Sequence, residues 1–220
     1  MELYEVMRTT FAARQFTSDK VPNDVLARIL DNARFAPSGG NRQGWRVIVI
    51  RDQAKRETLV PIVTSVMSRY RAQVNAGENP FNTINSSQVT QADIDNADLP
   101  PSYARQFVDA PVLLLVLVDL AVVASMDSEL DRVGVVSGGS IYPFAWNILL
   151  AARSEGYGGT LTTFLAPFEA DVKKLFNIPE RYAVSALLPI GKPVKQLTRL
   201  RRNPVSSFAT VDSFDGETFK

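Results

Sequence analysis

The eight residues Pro111 to Val118 (Pro-Val-Leu-Leu-Leu-Val-Leu-Val) carry no polar side chain. The run is far too short to span a bilayer, which needs about 20 apolar residues, and it fits a buried strand. A strand apolar at every position has no face to offer water, so this one belongs in the middle of a sheet covered on both sides.

The rest of the chain is read around that strand. Leu3, Val6, Met7 and Phe11 recur at near-helical spacing and predict a helix over residues 2–13. A second helix begins at Val21-Pro22-Asn23-Asp24, with Leu26, Ile29, Leu30 and Ala33 as its apolar stripe, and stops at Pro37 and the glycines after it. Trp45-Arg46-Val47-Ile48-Val49-Ile50 reads as a strand, and residues 53–72 read as a helix. Ile141, Phe144, Ala145, Ile148, Leu149 and Ala152 share one face of a long helix over 135–155, which Gly156 ends. Leu161-Thr162-Thr163 is a short strand or a loop, Pro167 opens a helix to Phe176, and Tyr182 to Ile190 is a strand. The tail from Lys192 is basic at first, then polar, with no evident element. Helices and a few strands in this order make an α+β chain. Without repeats or a Gly/Ser linker, its 220 residues form one domain. Residues 74–101 are rich in Asn, Gln, Ser, Asp and Pro and read as an irregular lid or loop insertion. So many helices on so small a sheet leave apolar surface for a second copy to cover.

Composition narrows the chemistry. The chain has no cysteine and no histidine. Disulfides, thiolate nucleophiles, Cys/His zinc sites, Ser-His-Asp triads and histidine bases are therefore excluded. A net charge of +1 gives no basic excess to attract nucleic acid, and the acidic N-terminus is not a signal peptide. The expectation is a cytoplasmic protein that binds neither nucleic acid nor membrane. If it is an enzyme, a cofactor carries the reaction or Lys, Tyr, Asp or Glu does.

Three constellations could bind a ligand. In Pro37-Ser38-Gly39-Gly40-Asn41-Arg42-Gln43, two glycines let backbone approach a ligand closely, and Ser38, Asn41 and Gln43 offer donors and acceptors suited to a planar heterocycle. An ordinary helix-to-strand loop would use the same residues. Arg8 and Arg14 flank the end of the first helix, and Arg199, Arg201 and Arg202 cluster near the C-terminus. Guanidinium forks suit a phosphate, and they are equally at home as solvated surface charge. Gly156-Tyr157-Gly158-Gly159-Thr160-Leu161-Thr162-Thr163 follows a helix, so it is not a dinucleotide fingerprint. A helix cap explains Gly156 and leaves Thr162 and Thr163 unexplained.

Taken together these segments resemble the nitroreductase family of FMN-dependent oxidoreductases. The resemblance runs through Arg8-Thr9-Thr10-Phe11-Ala12-Ala13-Arg14-Gln15-Phe16 and Ala36-Pro37-Ser38-Gly39-Gly40-Asn41-Arg42-Gln43-Gly44-Trp45. It continues in Gln106-Phe107-Val108-Asp109-Ala110-Pro111, Asn147 to Arg153 with Gly156-Tyr157-Gly158, Leu188 to Pro193, and Arg201-Arg202-Asn203-Pro204. It implies a small, mainly antiparallel central sheet flanked by helices, in an intertwined homodimer whose two subunits share the FMN sites. It implies that Arg14 and Arg202, with Arg8, hold the flavin phosphate. Ser38, Gly39, Asn41 and Gln43 would meet the ring and ribityl chain, Thr162 and Thr163 its reactive edge, and Gln106 its carbonyl side. Phe81 and Tyr103 would line the pocket of a small-molecule acceptor. No side chain is assigned as catalytic, because flavin N5 carries the chemistry. The implied reaction passes electrons from NADH or NADPH to a nitroaromatic or quinone in ping-pong fashion. The alternatives are dehalogenation or flavin cleavage on the same scaffold, or flavin binding without turnover. Three positions depart from the family pattern. Phe11 stands where many relatives have arginine, Gly44 replaces a proline and is expected to alter only the turn, and Gln106 is neutral where some relatives carry lysine.

Overall fold

The computed structural model describes residues 1–97, 99–100 and 102–219. Two residues of the expected lid, Asp98 and Pro101, therefore lie outside the described residues. The apolar run is strand β2, Val112–Asp119, and all eight of its residues are buried. β1 (Trp45–Ile50) lies antiparallel on one side of it, pairing Trp45 with Val118 and Ile50 with Leu113. β4 (Tyr182–Gly191) lies antiparallel on the other side, pairing Val112 with Ile190 and Asp119 with Tyr182. A two-residue strand, β3 (Gly158–Gly159), completes the order β1-β2-β4-β3.

The register explains the absence of hydrophobic alternation in β2. Val112, Leu114, Val116 and Val118 point to one side, into a core with Ile29 and Ala33 of α2 (Asn23–Ala33) and Phe144 and Ile148 of α6 (Tyr142–Ser154). Leu113, Leu115 and Leu117 point to the other side. There they meet Leu59 and Val63 of α3 (Gln53–Asn75), Phe107 of α5 (Ser102–Val108) and Val172 of α7 (Glu169–Phe176). Side chains of successive strand residues alternate between faces, so a sheet with helices on both sides needs apolar groups at every position. The Trp45 ring stacks on Phe144, 4.7 Å between centroids and 1° from parallel, fixing the start of β1 on α6.

Several boundaries differ from the sequence-based expectation. The first helix, α1, spans Leu3–Thr9 rather than 2–13. The hydroxyls of Thr9 and Thr10 bond back to the carbonyls of Glu5 and Val6, and the chain then bridges Gly159 of β3 at Ala12 and Pro193 at Phe16. The long helix begins at Tyr142, preceded by a 3-10 turn over Val136–Ser140 that contains two glycines. A 3-10 turn at Ala166–Phe168 likewise precedes α7, which closes on the left-handed Asn177. Helix α5 was not expected. The irregular segment begins after Asn75 and holds the short helix α4 (Gln91–Asp95), whose Thr90 and Asp93 form a capping box. Gly156 ends α6 as expected, at φ +86°, with the Tyr157 amide bonded to the Ala152 carbonyl.

Candidate functional site

The extended segment after α1 carries Arg14. The Ala13 amide bonds to the Gly159 carbonyl at 3.0 Å, and this closeness depends on glycine. A Cβ on Gly159 would lie 2.5 Å from the Pro189 carbonyl oxygen, and one on Gly158 would press on Pro193 and Ala13. Arg14 thereby reaches the end of the sheet where β2 begins. It lines a cleft of about 690 Å³ together with Phe16, Tyr103, Arg105, Gln106 and Pro111. A smaller cleft of about 260 Å³ adjoins it and is lined by Phe11, Arg14, Gln106, Lys195 and Leu197.

The wall that carries Tyr103 and Gln106 is α5, and a buried cation holds its end. The Arg56 guanidinium donates to the carbonyls of Ile50 (2.7 and 3.1 Å), Val108 (3.1 Å) and Ala110 (2.7 Å). Burial draws the pKa of Arg56 below its usual value, but an arginine keeps its proton in a protein. At the rim, Arg105 pairs with Glu57 at 2.8 Å and Asp109 at 3.4 Å, which together raise its pKa.

The loop Ser38 to Gly44 sits at the other end of the sheet. The Asp119 amide bonds to the Gly44 carbonyl at 2.8 Å, where β2 ends. The loop turns through three left-handed residues, Gly40 (φ 61°), Asn41 (φ 53°) and Gln43 (φ 50°), and is closed by its own polar groups. Ser38 Oγ accepts from the Gln43 amide at 3.0 Å, the Asn41 amide donates to the Ser38 carbonyl at 2.8 Å, and Gln43 Nε2 lies 3.2 Å from Asn41 Oδ1. The Gly39 amide donates to Ser140 Oγ at 3.2 Å. Gly44 does more than shape the turn. A Cβ there would stand 2.6 Å from Val122 Cγ2, so a side chain would collide with the turn that follows β2.

The segment beside this loop, from Ala124 to Ser140, is gathered by Asp127. Its buried carboxylate accepts from the amides of Val135 (2.7 Å) and Val136 (3.3 Å), from Arg132 (2.9 Å) and from Ser125 Oγ (3.3 Å). These donors, the Val135 amide first, draw its pKa down to about 2.

The expected site residues thus fall into separate groups. Arg14, Gln106 and Tyr103 meet at one cleft. Ser38, Gly39, Asn41 and Gln43 meet in one loop that lines neither cleft at Arg14. Val112 and Val118 are six strand residues apart, so roughly 20 Å separates the two ends. Thr162 lies between them, buried and doubly hydrogen-bonded to Leu187 (3.1 and 2.8 Å), with the exposed Thr163 next to it. Arg8, Phe81 and Arg202 line neither cleft at Arg14. Arg8 sits 5.9 Å from the centre of the Tyr4 ring, Arg69 sits 5.3 Å from that of Phe81, and Arg202 donates to the Arg201 carbonyl. Two residues that the sequence reading did not single out belong to these groups. Ser140 is paired with the Gly39 turn, and Lys195 is beside Arg14.

The fold is thus an antiparallel sheet covered by helices on both faces, with the candidate binding groups near its two ends. Residues 7–192 match the Nitroreductase family, and the chain belongs to it. It is 28% identical over 213 residues to an iodotyrosine dehalogenase 1 homolog of Caenorhabditis elegans, which covers 90% of this chain. The chain spans about 60% of that relative's length. It is 26% identical over 207 residues to a nitrobenzene nitroreductase of Ectopseudomonas oleovorans, covering 85% of each chain. Among solved structures, an oxidized iodotyrosine deiodinase bound to FMN and 3-iodo-L-tyrosine superposes with a TM-score of 0.67 at 22% identity, over 97% of this chain and 100% of that one. A BluB-like flavoprotein from Clostridium difficile 630 gives a TM-score of 0.67 at 20% identity, over 96% and 98%.

Proposed function

We propose that this chain is an FMN-dependent oxidoreductase that works as a homodimer, with each flavin held between the Arg14 end of one copy and the Ser38–Gln43 loop of the other. The observation that carries this reading is the placement of the two groups at opposite ends of β2, where one copy cannot close both around one ligand. Exposed apolar residues on α1 and α6 (Leu3 65%, Met7 51%, Trp146 43% exposed) supply surface for the second copy to cover.

The residues present fit the cofactor. Arg14 brings a fork of donors for a phosphate, Gln106 a carboxamide for a ring carbonyl, and the Ser38 loop the remaining donors and acceptors of Ser38, Asn41 and Gln43. The chemistry supplied by bound FMN is two-electron transfer from NADH or NADPH to an electron-poor acceptor such as a nitroaromatic or quinone. The chain's own part is to bind, orient and exclude water, with Tyr103 on the acceptor side of the larger cleft.

The purified protein is expected to be yellow, to release FMN on denaturation, and to bleach anaerobically with NADH or NADPH. A colourless protein that does not take up added FMN would falsify the reading. The relatives named for dehalogenation support a second reading, reductive removal of iodide from an iodinated aromatic. Iodide release from 3-iodotyrosine under dithionite, without reduction of nitrobenzene by NADPH, would favour it over the first.

A further inference from the structure

On the α7 side of the sheet, a cleft of about 520 Å³ lies between β1, the start of β4 and the turn after α7, and none of its lining residues belongs to the groups described above. Ile48 and Leu117 floor it, Phe176 and Ile178 wall it, and no acidic side chain lines it. Arg46 opposes Leu117 in the sheet and shares its face with Ile48 and Ile50, which pack into the core there. A charged residue thus stands where strand alternation calls for an apolar one. Tyr182 is buried on β4, two strands from Arg46 and roughly 10 Å away across the sheet. Arg181 and Arg46 nevertheless both act on its phenol and draw its pKa below the usual value. The Arg46 and Tyr182 side chains therefore meet above β2, inside the cleft. A charge that only guards the edge strand β1 needs no partner two strands away. The Arg181 guanidinium lies 5.4 Å from the centre of the Tyr182 ring and is matched by Asp119 at 3.1 Å. Among the described residues, Arg46 takes part in no ion pair, so the cleft carries one unmatched positive charge.

We infer that this cleft is a second ligand site, for a small monocarboxylate with an aromatic body. One unmatched charge suits one carboxylate, which the Arg46 fork can hold through two parallel hydrogen bonds. The Tyr182 hydroxyl supplies a further donor. The flat floor of Ile48 and Leu117, with the Phe176 and Tyr182 rings beside it, takes the aromatic body. The cleft has the size of a small-molecule site, about 300–1,000 Å³. A phosphate dianion would leave one of its charges unmatched, because Asp119 holds Arg181. The inference does not depend on the FMN reading.

The probe is 1-naphthoate, and 1-naphthamide, with the same body and no charge, is its control. Each is titrated into the purified protein in the presence of saturating FMN and followed by backbone amide signals. The titration reads the cleft equally in a protein that takes up no FMN. In wild type, 1-naphthoate is expected to move the signals of Leu117, Asn177 and Ile178 and to leave those of Gln106 and Phe107 in place. Arg46→Met is expected to weaken 1-naphthoate by about 10- to 100-fold, the range for one charge-assisted hydrogen bond, and to leave 1-naphthamide within about twofold. Tyr182→Phe, which keeps the ring, is expected to weaken 1-naphthoate by about 3- to 10-fold. No binding of 1-naphthoate at millimolar concentration, equal binding of 1-naphthamide, or binding that Arg46→Met leaves unchanged would overturn the inference. Signals moving only at Gln106 and Phe107 would also overturn it, by placing the probe at the Arg14 end. So would a change of oligomeric state in Arg46→Met with no loss of probe binding, which would make the cleft a contact between copies. Circular dichroism of Arg46→Met and Arg46→Gln separates lost binding from lost fold.

Discussion

The two ends of the sheet are each gathered by one buried charge, and the charges are opposite. Where β2 begins, the Arg56 guanidinium draws in three backbone carbonyls. Beside the loop where β2 ends, the Asp127 carboxylate draws in two backbone amides, a guanidinium and a hydroxyl. The ends differ in what is left over. The Ser38 loop is folded back on itself by the Ser38, Asn41 and Gln43 contacts and tied to Ser140. The Arg14 end leaves two cations facing open clefts, so it offers binding energy. In the proposed dimer, an ordered loop at one end and charge at the other would divide the work of one site.

The largest effect is expected from Arg56→Met. It leaves three buried carbonyls without a donor and should cost about 4 kcal/mol in urea unfolding, since each unpaired buried group costs about 1–3 kcal/mol. It should also loosen α5, seen as faster amide exchange at Phe107 and Val108. A loss below about 1 kcal/mol would show that Arg56 does not hold the open end together. Gly44→Ala comes next, at about 1–3 kcal/mol by overpacking, with Val122→Ala in the double variant recovering most of it. Without that recovery, the close approach to Val122 is not the constraint. Ser38→Ala removes the hydroxyl that accepts from the Gln43 amide and should cost about 1 kcal/mol, read from the midpoint of thermal unfolding. The smallest effect near neutral pH is the acid response. The carboxyl of Asp127 has its folded pKa lowered from 3.8 to about 2. Its contribution to stability is therefore complete above about pH 4 and is lost as pH falls toward 2. The amide signals of Val135 and Val136 should titrate over that window and stop doing so in Asp127→Asn. The Arg56 end should show no matching step, because its clamp does not titrate there.

The legible parts of the sequence were those where side-chain chemistry repeats. β2 was readable because the sheet is covered on both faces, and the α6 face because all six of its expected apolar residues are buried. The end of α1 was misread because Phe11 continues the apolar spacing while the Thr9 and Thr10 hydroxyls turn back on the helix. Helix α5 was hidden by its polar start and its short length, and β3 by being two glycines, chosen for what they leave out. The loop at Ser38 could be singled out by composition, whereas its closure through Gln43 and Ser140 depends on φ angles that no periodicity encodes. Arg14 and Gln106 could be named from family resemblance. Lys195 could not, because its place beside Arg14 comes from two hydrogen bonds made by its neighbours Val194 and Gln196, and the sequence there has no repeating pattern.

The distance between the two ends bears on genetics as well as on binding. In the proposed dimer, where each copy would lend a different end to each site, damage at Arg14 and damage at the Ser38 loop would fall on different partners. A mixed pair, with one chain altered at Arg14 and the other at the loop, has both faults in one of its sites and none in the other. Two inactive alleles expressed together should then regain part of the activity that neither has alone.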